Sequence, residues 1–117
     1  MDMAKLPFSP VRSAGDSLFL SGQVGQKDGK LVSSDLKEQV RQAVANVEFV
    51  LASQGMSLSD VVDVLAFLVN ADDYGPFNEI YAELFQEPRP TRTCIGVAWL
   101  PLGAKVEITA RAARDLK

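Results

Sequence analysis

The chain has 117 residues, enough for one domain that buries roughly two thirds of the surface its unfolded form exposes. Its net charge is -3 and it contains no basic run, which argues against nucleic acid as a partner because phosphate contacts need clustered Lys and Arg. The absence of histidine excludes Ser-His and Cys-His catalytic centres and removes the usual zinc ligand. We therefore predict a single domain, residues 1–117, that needs no metal or cofactor.

The single cysteine, Cys94, cannot form an internal disulfide, which is typical of proteins in a reducing compartment. The sequence shows no basic-then-apolar leader and no apolar run near ~20 residues long. We therefore expect a cytoplasmic protein that does not enter a membrane.

The first third of the chain carries the signals of strands and one turn. Ser17–Val24 is predicted to be a strand, and Leu31–Val32 is predicted to be a short one. Between them, Lys27–Lys30 contains the Asp-Gly pair that is typical of a tight turn.

A first helix is predicted to begin near Asp35, with Glu38 three residues later as its capping-box partner. The helix is predicted to end before Gly55, because glycine commonly follows the last residue of a helix. One apolar stripe recurs at helical spacing between them: Leu36, Val40, Ala43, Val44, Val47, Val50 and Leu51.

The next segment, Val61–Val69, is apolar on both faces apart from Asp63, which predicts a central strand. A second helix is predicted to begin at Asp72 or Asp73, with Pro76 tolerated in its first turn. Its apolar stripe consists of Phe77, Ile80, Tyr81, Leu84 and Phe85.

The C-terminal third predicts a β-hairpin. Residues 91–99 and 105–111 alternate as two strands, and Leu100–Gly103 has the length and composition of the turn between them. Apolar residues then face each other in three cross-strand pairs: Trp99 with Ala104, Val97 with Val106, and Ile95 with Ile108.

This hairpin would place Arg92, Cys94, Gly96 and Glu107 on one face of the sheet. A slip of two residues would change their partners but keep their face. An arginine binds a carboxylate through two parallel hydrogen bonds, and a glutamate can position a water molecule and transfer a proton. The shared face therefore predicts a site for a small anionic substrate.

The order of elements predicts an α+β fold, with a single mixed β-sheet and two helices packed on one face. Two helices cover only one face, and residues such as Phe19 and Trp99 indicate that the other face is not simply solvated. An apolar sheet face on a small domain usually marks an interface, so we expect a homo-oligomer with closed symmetry.

Five segments in order resemble the RidA (YjgF) family over nearly the whole chain: residues 6–10 (Leu-Pro-Phe-Ser-Pro), 18–24 (Leu-Phe-Leu-Ser-Gly-Gln-Val), 77–85 (Phe-Asn-Glu-Ile-Tyr-Ala-Glu-Leu-Phe), 90–95 (Pro-Thr-Arg-Thr-Cys-Ile) and 106–108 (Val-Glu-Ile). The resemblance implies a chorismate-mutase-like fold and a homotrimer with sites at the subunit interfaces. It also implies hydrolysis of reactive 2-enamines and 2-imines, such as 2-aminoacrylate, to 2-ketoacids and ammonia.

The resemblance also implies roles for individual residues. Arg92 matches the arginine that binds the substrate carboxylate, and Glu107 matches the acid that positions or activates water. Six further positions match residues beside the ligand: Phe8, Ser21, Gly22, Asn78, Tyr81 and Cys94. This chain departs from the family pattern at Phe8, where a tyrosine is usual, and also at Gly25, Gly96 and Trp99.

Other interpretations of the same residues stay open. Arg92 and Glu107 are also typical of a solvated strand, Cys94 of a small buried hydrophobe, and Tyr81 of a core residue. Gly22 would suit a strand bulge. Two alternative functions remain: a non-catalytic binder of small carboxylates such as 2-ketoacids, and an endoribonuclease or translation inhibitor, which the acidic balance and absent histidine argue against.

Overall fold

The computed structural model describes residues 6–114, so the predicted single domain of residues 1–117 extends beyond the described stretch at both ends. The strands and helices follow in chain order: β1 (Val11–Ala14), β2 (Ser17–Leu20), β3 (Gln23–Val24), β4 (Gln26–Lys27), β5 (Lys30–Leu31), α1 (Leu36–Ser53), β6 (Val61–Leu68), α2 (Tyr74–Leu84), β7 (Thr91–Gly96) and β8 (Val106–Ala113).

The main sheet has the strand order β1-β2-β8-β6-β7, and β3 pairs with β8 beyond the end of β2. Strand β6 is antiparallel to β8 and parallel to β7, so it is the central strand that its two-sided apolar sequence predicted. Strands β4 and β5 form a separate ribbon across the predicted Asp-Gly turn, where Asp28 and Gly29 have φ of 55° and 82°.

The predicted hairpin between β7 and β8 is wrong, because β6 lies between these strands. Helix α2 returns the chain over the sheet, so β7 enters parallel to β6. The segment 97–105 then crosses the end of β6, where Val97 N donates to Leu68 O (2.9 Å) and Val69 N donates to Lys105 O (3.3 Å). The three predicted cross-strand pairs therefore do not form.

The first strands of the chain also differ from the prediction. Strand β1 was not predicted, although Gly15 with a φ of 58° makes the turn that pairs it with β2. The predicted strand Ser17–Val24 is interrupted at Ser21 and Gly22. Here the chain leaves β2, and Ser21 bonds to the segment before β1 instead: its N–H donates to Pro10 O at 3.0 Å.

Both helices begin close to the predicted residues. The Asp35 side chain caps α1 by accepting a hydrogen bond from Glu38 N at 3.1 Å. Gly55 follows its end with a φ of 74°, a conformation that favours glycine. A short 3-10 turn at Ala71–Asp73 leads directly into α2.

The main core lies between the two helices and one face of the sheet, called here the helix side. Its most buried members come from both layers: Val40, Val44, Val47, Leu51, Val64, Phe77, Ile80, Val106 and Ile108. The predicted α+β fold, a mixed sheet with two helices on one face, is therefore confirmed.

The opposite face of the sheet, called here the outer face, is covered by described residues only at one end. There the segment 97–105 packs Leu100 and Ala104 against Val24 and Phe67. Elsewhere, within residues 6–114, this face is open and exposes large apolar groups, including Phe19, which lies against the guanidinium of Arg111 at 5.5 Å.

Gln39 is the one buried polar side chain of the described core, and it joins α1 to two loops. Its Oε1 accepts from Lys105 N at 2.8 Å and its Nε2 donates to Ser33 O at 2.9 Å. The helix backbone at Gln39 also lies so close to Gly25 that a Cβ there would collide with it. This contact explains why Gly25 suits its position in this chain.

We expect Gln39→Met to lower the free energy of unfolding by about 2 kcal/mol, because it leaves two backbone groups without partners at similar side-chain volume. The measurement is denaturant unfolding at a fixed protomer concentration. Gln86→Met, at an exposed glutamine, is the control and should change the free energy by less than about 0.5 kcal/mol. Equal effects of the two substitutions would contradict this role for Gln39.

Candidate functional site

Arg92 lies on the helix side of β7, beneath α2, where three aromatic rings surround its guanidinium. The guanidinium carbon is 4.8 Å from the ring centre of Tyr81, 5.1 Å from that of Phe77 and 5.8 Å from that of Tyr74. Its Nη2 donates to Asn78 Oδ1 at 2.8 Å and to the Tyr74 hydroxyl at 3.4 Å. We call these five residues the arginine cluster.

The sequence builds this cluster from one helix face and one strand register. Residues 74, 77, 78 and 81 follow the spacing of neighbours on a helix surface, so α2 presents all four toward β7. Arg92 pairs with Val64 of β6, whose side chain is fully buried on the helix side, and this register turns the arginine toward α2.

The charge of Arg92 has no acidic partner among residues 6–114. Cation–π contacts are worth about 0.5–1 kcal/mol each at exposed sites, so three rings can hold the side chain in place without neutralising it. The guanidinium N–H groups that do not donate to Asn78 or Tyr74 are therefore available to bind an anion.

Tyr81 belongs to the core, as one interpretation of the sequence predicted, and also to the arginine cluster. It is buried, stacks on Phe85 at 4.5 Å and lies under the guanidinium of Arg92. Burial raises the pKa of Tyr81 to about 12 and outweighs the opposite effect of Arg92. The ring is therefore neutral, and its hydroxyl has no protein partner within the described part of the chain.

Cys94 lies two residues after Arg92 on the same side and packs against the main core. Burial raises the pKa of its thiol, against a smaller lowering by Arg92. The sulfur is therefore a protonated thiol at neutral pH, which makes it a weak nucleophile. This environment agrees with the interpretation of Cys94 as a small, partly buried hydrophobe.

Glu107 lies on the outer face of β8, in contact with the break between β2 and β3. A Cβ at Gly22 would lie 2.7 Å from Glu107 Oε2, so the absence of a side chain there gives the carboxyl group its room. Burial raises the pKa of Glu107, and no described cation forms an ion pair with it. Gly22 therefore allows the Glu107 carboxyl group to approach the backbone closely, which goes beyond the strand bulge that its sequence position also suggested.

Ser21 fixes the segment that precedes β1 beside Gly22. Its Oγ donates to Ser9 O at 2.6 Å, so the hydroxyl is occupied by the chain's own backbone. Phe8 precedes this anchored segment and is half-exposed, and it offers no group that could transfer a proton.

The predicted common face of Arg92, Cys94, Gly96 and Glu107 is wrong. Arg92 pairs with Val64 of β6, whereas Glu107 pairs with Phe67, three residues further along the same strand. Side chains alternate along a strand, so these positions face opposite sides. Arg92, Cys94 and Gly96 thus share the helix side, while Glu107 lies on the outer face.

The two groups are too far apart for one small molecule to touch both within one chain. Strands β7 and β8 flank β6, which separates their backbones by roughly 10 Å, and the sheet itself stands between the side chains. The structure therefore brings Arg92, Asn78 and Tyr81 together, with Cys94 next to them along the strand. Glu107 and Gly22 contact each other but lie apart from this group.

Tyr74 and Phe77 are parts of the arginine cluster that the sequence analysis did not identify as site residues. Their spacing to Asn78 and Tyr81 on one helix face was the signal that could have found them. The described residues contain no group of three or more potential metal-ligating side chains, and no helix among them is long and apolar enough to cross a membrane.

Comparisons with known proteins agree with this fold. The family model for Endoribonuclease L-PSP matches residues 2–114. A Dermatophagoides farinae protein named 2-iminobutanoate/2-iminopropanoate deaminase is 36% identical over 104 residues, which cover 87% of this chain and 81% of the relative.

Two solved structures extend the likeness to three dimensions. RidA from the Antarctic bacterium Psychrobacter sp. is 29% identical with a TM-score of 0.89, covering 94% of this chain and 90% of that one. E. coli TdcF, solved with bound serine, is 32% identical with a TM-score of 0.86, covering 93% and 88%. The matched family, the sequence identity and the shared fold together show that this chain belongs to the RidA/YjgF family, whose model is described as Endoribonuclease L-PSP.

Proposed function

We propose that this protein hydrolyses reactive 2-imines and 2-enamines, such as 2-aminoacrylate, to 2-ketoacids and ammonia. The observation that carries the proposal is Arg92, a guanidinium held by three rings and Asn78 but not neutralised by a described acid. The relative named as an imine deaminase supports the reaction, and TdcF with bound serine supports a ligand that carries a carboxylate.

The site would be completed between copies of the chain. Arg92 and Glu107 face opposite sides of one sheet, so a substrate that touches both needs the two residues from different subunits. A contact between unlike surfaces closes into a ring when each subunit gives one surface and receives the other. We therefore propose the homotrimer with interfacial sites that the resemblance to the RidA family implies.

In the proposed mechanism, Arg92 binds the substrate carboxylate through two hydrogen bonds and fixes the imine carbon near Glu107 of another subunit. Glu107 takes a proton from a water molecule as the water oxygen bonds to that carbon, and it returns this proton to the nitrogen, which receives the C=N electrons. In the resulting carbinolamine, Glu107 takes the hydroxyl proton as the C=O bond forms and gives it to the nitrogen, which leaves as ammonia as the C–N bond breaks. An enamine enters this sequence after it tautomerises to the imine.

We expect Arg92→Ala to lower kcat/KM by at least about 100-fold, because it removes two hydrogen bonds from a charged group. Arg92→Lys should lose less, since it keeps the charge without the planar fork. The assay follows pyruvate release from iminopropanoate generated in situ, with and without protein. Arg41→Ala, at an exposed arginine of α1, is the control. Full activity in Arg92→Ala would disprove the proposal.

Complementation tests whether the site is shared between subunits. Arg92→Ala and Glu107→Gln should each retain only a small residual activity alone, and their mixture after joint refolding should regain activity. In a ring of randomly mixed subunits, about one quarter of the sites would combine an intact Arg92 with an intact Glu107. The control is each variant refolded alone at the same total concentration. No recovery in a verified mixed oligomer would show that both residues do not act across an interface.

The pH dependence should reflect the buried carboxyl group. A raised pKa means that Glu107 stays protonated to a higher pH than an ordinary glutamate, so the base form disappears sooner on acidification. We therefore expect kcat/KM to fall with decreasing pH through a midpoint above the usual range of glutamate, about 4.3. The measurement is the pH profile of wild type against Glu107→Gln, which should lack this acid limb in its residual rate.

Non-catalytic binding of small carboxylates such as 2-ketoacids is the second candidate. It is favoured by Phe8, which offers no hydroxyl, and by the protonated thiol of Cys94. Thermal stabilisation by a 2-ketoacid without any imine turnover would support it over catalysis. RNA cleavage is disfavoured, because the net charge is -3 and the chain contains no histidine.

A further inference from the structure

In the single chain, a groove of about 630 Å³ runs along the exposed edge of β7 and opens to solvent. Among the described residues, Cys94 and Tyr74 are the only polar side chains in its wall. The remaining lining is glycine and apolar residues: Leu68, Val69, Ala71, Ile95, Gly96, Val97 and Ala98. Pockets that hold drug-sized ligands measure roughly 300 to 1,000 Å³, and the open groove of one chain gives more room than the single methyl group of iminopropanoate requires.

The groove begins at the arginine cluster. Tyr74 lines its wall and also lies 3.4 Å from Nη2 of Arg92. Arg92, Cys94 and Gly96 alternate onto the same side of β7, with successive side-chain positions about 7 Å apart. A ligand held by its carboxylate at Arg92 and extending along β7 would pass Cys94 toward Gly96.

Gly96 keeps the far part of the groove open. Among residues 6–114 of the same chain, a Cβ built there would meet only the Leu68 carbonyl oxygen, at 3.8 Å, which is ordinary contact distance. Its backbone also lies outside the left-handed region that favours glycine. Neither space nor backbone conformation requires glycine at this position, so its main physical effect is to leave volume in the groove.

We propose that this groove binds the substrate's side chain and that the protein prefers 2-imines and 2-enamines derived from amino acids with large apolar or aromatic side chains. Gly96 sets the size limit. This inference rests on the proposed function. An apolar lining supports it, because the free energy gained by burying a side chain grows with its apolar area, so a phenyl group gains much more there than a methyl group.

The test compares imines generated in situ from phenylalanine and from alanine, in wild type and in Gly96→Leu. Wild type should favour the phenylalanine imine in kcat/KM, and Gly96→Leu should lower the ratio of the two values at least about tenfold, because leucine fills the groove. The matched control is Ala45→Leu, which adds similar bulk on the exposed face of α1 and should leave the ratio unchanged.

Two results would overturn the inference. One is a ratio that Gly96→Leu does not change. The other is a changed oligomeric mass of Gly96→Leu, whatever its selectivity, since that would mean that a second copy of the chain occupies the groove. Light scattering after size-exclusion chromatography provides this second readout.

Ligand binding separates this inference from the proposed catalysis. Thermal stabilisation by phenylpyruvate and by pyruvate is measured on the same three proteins. Stronger stabilisation by phenylpyruvate in wild type and Ala45→Leu, lost in Gly96→Leu, supports the groove even if no imine is hydrolysed. In that case only the proposed catalysis fails. Equal stabilisation by both ketoacids in wild type would overturn the groove assignment whatever the catalytic result.

Discussion

The parallel pairing of β6 with β7 is the constraint on which the candidate site depends. Two successive strands joined by a helix that packs on the sheet are brought side by side in parallel. This crossover places α2 directly above β7, and the register opposite Val64 turns Arg92 into the helix layer. The arginine then meets Tyr74, Phe77 and Tyr81, all from the same helix.

The same pairing leaves each half of the proposed site with an uncompensated charge. Arg92 has rings and an amide around it, and Glu107 lies partly buried against Gly22, yet neither forms an ion pair within residues 6–114. The half-buried carboxyl group responds with a raised pKa, whereas the guanidinium stays charged. A positive half on one side of the sheet and a negative half on the other suit a head-to-tail contact between copies, with a small anion between them.

Much of the fold could be predicted from local sequence. Four of the correct predictions depend on residues that are close together in the chain, so the sequence pattern alone indicates them: the cap at Asp35, the helix end at Gly55, the two-sided apolar run in β6 and the apolar stripe of α2. The predicted hairpin failed because apolar alternation fits several partners equally well. A strand followed by a helix and a second strand, as in β6, α2 and β7, favours parallel pairing of the two strands. This pattern was a stronger signal than the apolar alternation.

The sequence by itself determined the two layers, the absence of histidine chemistry and the identity of Arg92 and Glu107 as the charged candidates. Only the tertiary structure decided which side of the sheet each one faces, because alternation sets the relative orientation within a strand but not between strands. It also decided that aromatic rings of α2 surround the guanidinium and that Gly96 leaves a groove beside it. Those features depend on where the chain crosses the sheet, which is a non-local choice made by the packing of the whole core.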